Sequence, residues 1–146
     1  MALARLHLIK LSVGSESVEC LAAWQAKRLE QHGRLWHATR MMPRRRDELL
    51  DPAAPGSIYW VIRGLIQVRQ RLLGIESGPD AEGRRRTLLL LDPELVRLEP
   101  QPMRPFQGWR YLPPERAPAD LPAEAEGLEE GPPPELLAEL RSLGIL

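Results

Sequence analysis

Cysteine is close to absent from this sequence. Cys20 is the only one in 146 residues, so no internal disulfide can form, and a reducing, cytoplasmic setting is expected. Histidine is scarce as well: His32 and His37 stand five apart with Gly33 between them, and His7 is remote from both. That spacing matches no zinc-like ligand set, so no metal is expected. Long apolar runs are missing too. "LHLIKLSV" near the amino terminus is interrupted by Lys10 and is too short to span a membrane, and no cleavage-site pattern follows it. No membrane partner is expected. Neither the phosphate-loop pattern nor the dinucleotide fingerprint occurs, which leaves nucleotide hydrolysis and Rossmann redox chemistry without support and implies no cofactor. A Cys20, His37 and acid arrangement can be drawn on paper, but Cys20 falls inside a predicted helix, where it reads as a small core residue. No catalytic residue is assigned, and an enzyme is the least favoured class.

Lysine is the last scarcity. Of 20 basic residues, 18 are arginine and only Lys10 and Lys27 are lysine. The planar guanidinium fork suits phosphates and base edges, although a genome rich in G and C would also raise Arg along with Ala, Leu and Pro. The formal charge is zero overall, but it is unevenly placed. Residues 1–112 hold 18 Lys+Arg against 12 Asp+Glu, a net +6, and residues 113–146 hold 2 against 8, a net −6. A basic body points to an anionic partner, or to an acidic tail folding back on it.

The length suits one domain, expected over residues 1–112. "LHLIKLSVG" reads as a short buried strand closed by Gly14. "SESVECLAAWQAKRLEQHG" reads as the one long helix: Val18, Leu21, Ala22 and Leu29 recur at helical spacing, Ser15 or Ser17 can cap, and Gly33 suits the exit. "RLWHATRMM" is strand-like up to Pro43, and "RRRDELL" suits a short helical turn. The segment "SIYWVIRGLIQVRQRLLGIES" fits either one amphipathic helix or two strands broken at Gly64; Gly64 and Gly74 would each cost a helix about 1 kcal/mol, which favours the strands. "RRRTLLLLD" and "PELVRLEPQP" follow as extended pieces around the turn-rich "GPDAEG". Residues 113–134 carry seven of the 15 prolines among many acids and read as a linker, and residues 135–146 as a carboxy-terminal helix with Gly144 at its exit.

Basic and aromatic residues interleave in three places. Tyr59 and Trp60 precede Arg63, Arg69, Gln70 and Arg71. Arg40 stands near Arg44, Arg45 and Arg46. "RPFQGWRYL" packs Arg104, Phe106, Gln107, Trp109, Arg110 and Tyr111 around Gly108. Single-stranded nucleic acid is held by bases stacked on aromatic faces and phosphates tracked by cations. The candidate ligand-binding residues are therefore Arg40, Trp60, Arg63, Arg69, Gln70, Arg104, Gln107, Trp109 and Arg110. Core packing competes for Trp60 and Phe106, and Arg104, Gln107 and Arg110 suit a structural polar network equally well. Within the last stretch, Phe106 and Tyr111 are expected as core and the three polar residues as a cleft beside the Trp109 face.

The stretches "LHLIKL", "SVECLAAWQ", "GSIYWVIRGLIQVRQRLLGIE", "LDPELVRLEPQP" and "RPFQGWRYL" together resemble a family of short bacterial proteins classed only as a domain of unknown function. That resemblance covers nearly all of the body and implies no activity. The element order is also similar to the PUA-like pseudobarrels, including the ASCH and EVE types, which bind RNA or modified bases; it implies a fold and no site residues. The combined expectation is an α+β domain: a bent, partly closed mixed sheet of PUA-like pseudobarrel type, one long N-terminal helix, and a C-terminal helix on a Pro/Glu-rich linker. Its expected function is to bind RNA or a modified nucleobase or nucleotide, without metal. The alternative is a protein–protein interaction module that uses the acidic tail and final helix.

Overall fold

A computed structural model describes residues 4–122. Ser17 opens the first helix by accepting the Cys20 N–H on its hydroxyl, and Gly33 closes it in the left-handed conformation at φ 75°, so α1 runs Val18–His32. Before it comes β1 (His7–Leu11); after it come β2 (Trp36–Thr39), the short α2 (Arg46–Leu49), β3 (Ser57–Ile62), β4 (Leu65–Pro79), β5 (Arg85–Leu91), β6 (Val96–Pro102) and β7 (Trp109–Leu112). The ambiguous central segment is two strands. Arg63 at φ 53° and Gly64 at φ 77° form a two-residue turn that pairs Ile62 with Leu65, the geometry that suits the twist of a hairpin.

The seven strands form one mixed sheet in the order β2-β5-β4-β3-β1-β7, with β6 pairing β4 off that path. Only β1 and β3 pair in parallel among these ladders; the others are antiparallel. β4 is long enough to serve two partners in turn, pairing β6 along its first half and β5 along its second. Its register slips at Gln67 and at Leu73, and such bulges bend a strand and increase its twist. The expected partial closure by strand pairing is not found. β2 and β7 end the order unpaired to each other, and side chains bridge the seam instead: Trp109 Nε1 donates to the Met41 carbonyl at 3.0 Å, and Tyr111 Oη accepts the Arg45 N–H at 3.1 Å.

Two apolar clusters cover the two faces of the central strands, which is why β3 is buried throughout. One gathers Leu8, Ile58, Trp60, Ile62, Val68, Leu72 and Leu89 with Val18 and Leu21 of α1. The other gathers Ile9, Tyr59, Val61, Ile66, Leu98, Phe106 and Leu112. Residues 119–121, within the stretch expected to be linker, lie along β6: Leu98 bridges Asp120, the Glu99 N–H donates to the Ala119 carbonyl, and the Leu121 N–H donates to the Arg97 carbonyl. The expected C-terminal helix at 135–146 and the rest of the linker lie outside the described residues. Among the described residues no helix is long and apolar enough to cross a membrane.

Candidate functional site

A cleft of about 220 Å³ opens between α1 and the inner face of the sheet, lined by Trp24 and Gln25 of α1, Trp36 and His37 of β2, Trp60 of β3 and the 12–15 loop. Its construction follows from local sequence. The buried face of α1 carries Val18 and Leu21, and Gln25 falls on that same face at helical spacing. Its amide therefore needs a buried partner. Gln70, fully buried on β4, supplies it: the two amides exchange hydrogen bonds of 2.8 Å, Gln70 Oε1 also accepts the Trp60 indole N–H at 2.9 Å, and Gln70 Nε2 donates to the Asp92 carbonyl at 3.0 Å. This network ties helix to sheet and fixes the Trp60 ring at the base of the cleft.

Aromatic groups line much of the rest, and one cation packs against two of them. His37 packs edge-on against Trp60 with ring centroids 5.1 Å apart, and its Nε2 is buried without a hydrogen-bond partner among the described residues. Burial, with Lys10 and Arg28 nearby, pushes the His37 imidazolium down to about 4, so at neutral pH the ring is uncharged and offers one donor and one acceptor. The Arg28 guanidinium lies over Trp24 at 4.6 Å and over Trp36 at 4.9 Å, and donates to the Trp36 carbonyl at 3.1 Å. Trp24 is half-exposed at the mouth, and Cys20, exposed and unpaired, stands beside it. Among the described residues no group of three or more His, Cys, Asp or Glu is placed to hold a metal ion.

A family model described as Protein of unknown function (DUF1489) matches residues 8–146. The chain belongs to the DUF1489 family. No curated protein and no solved structure matches it. The family match spans every lining residue of the cleft as well as the segment beyond residue 122.

In this DUF1489 chain the residues singled out from the sequence are scattered. Trp60 lines the cleft and Gln70 lies directly beneath it. Arg69 faces the other cluster, where it holds Asp120 through two hydrogen bonds of 2.8 and 2.7 Å and donates to Ser57 Oγ at 2.9 Å. Arg40 pairs with Asp80 at 3.1 Å, and Arg63 occupies the β3–β4 turn. The "RPFQGWRYL" stretch divides by strand alternation. Phe106 is buried, and exposed Arg110 stacks over it at 4.6 Å. Trp109 and Tyr111 turn to the opposite face as the seam contacts, so the Trp109 ring does not stand beside Arg110. Arg104 and Gln107 are exposed in the loop before β7. Trp24, Gln25, Trp36 and His37 were not singled out as binding residues. The legible signal was Gln25, an amide on an apolar helix face, with Trp24 beside it off that face.

Proposed function

We propose that this chain is a small cytoplasmic binding domain that takes a modified nucleobase or nucleotide, free or within RNA, into the cleft between α1 and the sheet. The observation that carries the reading is the lining: Trp24, Trp36 and Trp60 with His37 and Gln25 around one opening. Flat aromatic faces stack a base, each stacking contact contributing about 1 to 3 kcal/mol, while a ring nitrogen and an amide supply hydrogen bonds to its edge. The placement of the arginines favours a pocket for one base over a track for a strand, because Arg40 and Arg69 are already held in ion pairs. A bent sheet with its ends drawn together by side chains is also compatible with the PUA-like pseudobarrel.

Cys20 gives a direct assay, since it is the sole cysteine and lines the opening. The chain is titrated with common and methylated nucleosides, their monophosphates and short single-stranded RNA, while tryptophan fluorescence and the rate of Cys20 alkylation are followed. At least one probe should quench the fluorescence and slow alkylation, and Trp24→Ala should abolish both effects without loss of fold. If no probe protects Cys20, or protection is unchanged in Trp24→Ala, the cleft is not a base pocket.

A further inference from the structure

Several cations on and beside the sheet are already neutralised. Arg34, Arg40, Arg69, Arg71 and Arg97 each sit within ion-pair distance of a carboxylate. Lys10 and Arg28 have no such partner among the described residues. Lys10 is half-buried on β1, in register between Trp60 of β3 and Trp109 of β7. Side chains in register share a face, so the ammonium points to the inner face beside the cleft, between two indoles. Burial lowers its pKa, the expected response of an ammonium that has given up water without gaining an anion. Arg28 is held by two tryptophan rings and one carbonyl, which leaves further N–H donors of a guanidinium fork already fixed in direction.

We infer that the cleft takes its base as a nucleotide, with Lys10 and Arg28 as the two cations that hold the phosphate. The inference rests on the base-pocket reading for the identity of the stacked group, but the two cations are placed independently of it: Lys10 in register with Trp60, Arg28 against Trp24 and Trp36, and both close enough to His37 to act on it. His37 is uncharged beside them at neutral pH, so it reads the base and does not share the anion. A phosphate between Lys10 and Arg28 would supply the counter-charge that both lack, through charge-assisted hydrogen bonds.

The test compares each nucleoside with its monophosphate, and both with inorganic pyrophosphate, by Cys20 alkylation and tryptophan fluorescence in the full chain. Variants are Lys10→Gln, Lys10→Arg and Arg28→Gln, each checked for unaltered thermal unfolding. Monophosphates should bind about tenfold or more tighter than nucleosides, the scale of one charge-assisted hydrogen bond. The advantage should shrink as salt rises, fall to near onefold in Lys10→Gln or Arg28→Gln, and persist in Lys10→Arg. If nucleosides and monophosphates bind alike, the phosphate assignment is overturned while the base pocket stands. If pyrophosphate alone protects Cys20 in a Lys10-dependent way, the cation pair stands and the base pocket falls. If only nucleosides bind, the phosphate assignment falls and the base pocket stands; if neither nucleosides nor phosphate-bearing probes bind, both fail.

Discussion

Replacing Gln70 by leucine tests the link between the polar network and the cleft. The two side chains are similar in volume, so the change leaves little void and acts through hydrogen bonding. Gln70 is fully buried and serves three partners: the Trp60 indole N–H, the Gln25 amide and the Asp92 carbonyl. Each orphaned buried group costs about 1 to 3 kcal/mol, so Gln70→Leu should destabilise the chain by about 3 to 9 kcal/mol. That is a large share of the roughly 5 to 15 kcal/mol typical of a domain. The melting temperature should fall by about 12 °C or more, at roughly 4 °C per kcal/mol for a chain of this size. The double variant Gln25→Leu with Gln70→Leu removes both amides and leaves only the indole and the carbonyl orphaned. It should be less destabilised than the sum of the two single changes, with a coupling of about 1 to 2 kcal/mol. Urea unfolding followed by tryptophan fluorescence measures all three variants. A loss below about 1 kcal/mol for Gln70→Leu, or strict additivity in the double variant, would show that the network does not join α1 to the sheet as described.

Acid should destabilise the fold through two histidines. Burial first, then Arg69 for His7 and Lys10 with Arg28 for His37, pushes both down to about 4. Their folded values lie below the unfolded one near 6.5, so this stability is complete above about pH 6.5 and is lost as pH falls toward 4. His7 Nδ1 accepts the Ser57 N–H at 3.0 Å; His7→Asn can keep an acceptor there without titrating, so urea unfolding of this variant at pH 7 and pH 4.5 should show a shallower pH dependence, and an unchanged dependence would be refuting. Phe106→Ala should cost about 3 kcal/mol or more, whereas Arg110→Ala, whose exposed guanidinium stacks on that ring at 4.6 Å, should cost less than about 1 kcal/mol; equal losses in urea unfolding would make Arg110 a structural strut. Deleting residues 123–146 removes six acids and one arginine while keeping the Arg69–Asp120 pair, so anion binding should strengthen at low salt and the gain should fade as the Debye length shortens to about 8 Å near 0.15 M. Equal affinities for both chains at low salt would deny the tail an electrostatic role.

The fold was most legible where one residue decides a local conformation. Ser17 and Gly33 bound α1 because a hydroxyl cap and a left-handed exit depend on neighbours within one turn. Gly64 marked the hairpin because its positive φ is local too. The end of β4 was less legible: Gly78 reads as the start of the turn-rich "GPDAEG", yet the strand, bulged at Leu73, continues to Pro79. Gly74 fits there because Leu90 lies 3.2 Å from where a Cβ would stand. The site was least legible, because the fate of an arginine depends on sheet register. Nothing near Arg69 in sequence announces Asp120, 51 residues away, and nothing near Arg40 announces Asp80. Clusters read along the chain counted Arg40 and Arg69, which the fold neutralises, and passed over Lys10, which has no ion-pair partner among the described residues.

The aromatics of "RPFQGWRYL" have an architectural role. An unclosed sheet leaves two ends whose separation no ladder fixes, and here two side chains of β7 fix it, the Trp109 indole and the Tyr111 hydroxyl, both bonded to backbone of residues 41–45. Aromatics with a polar tip suit that task, since the ring packs while the tip reaches a backbone partner, and alternation sends Arg110 and Leu112 to the opposite face, where Leu112 joins the second core cluster. The closure is not independent of the cleft. Trp109, Lys10 and Trp60 form one cross-strand row, so the residue that latches the seam also forms one wall beside the ammonium. Loss of the Trp109 side chain would loosen the seam at Met41 while β7 stays paired to β1, and would uncover Lys10 on that side, which connects a motif with no cleft-lining residue to the electrostatics of the cleft itself.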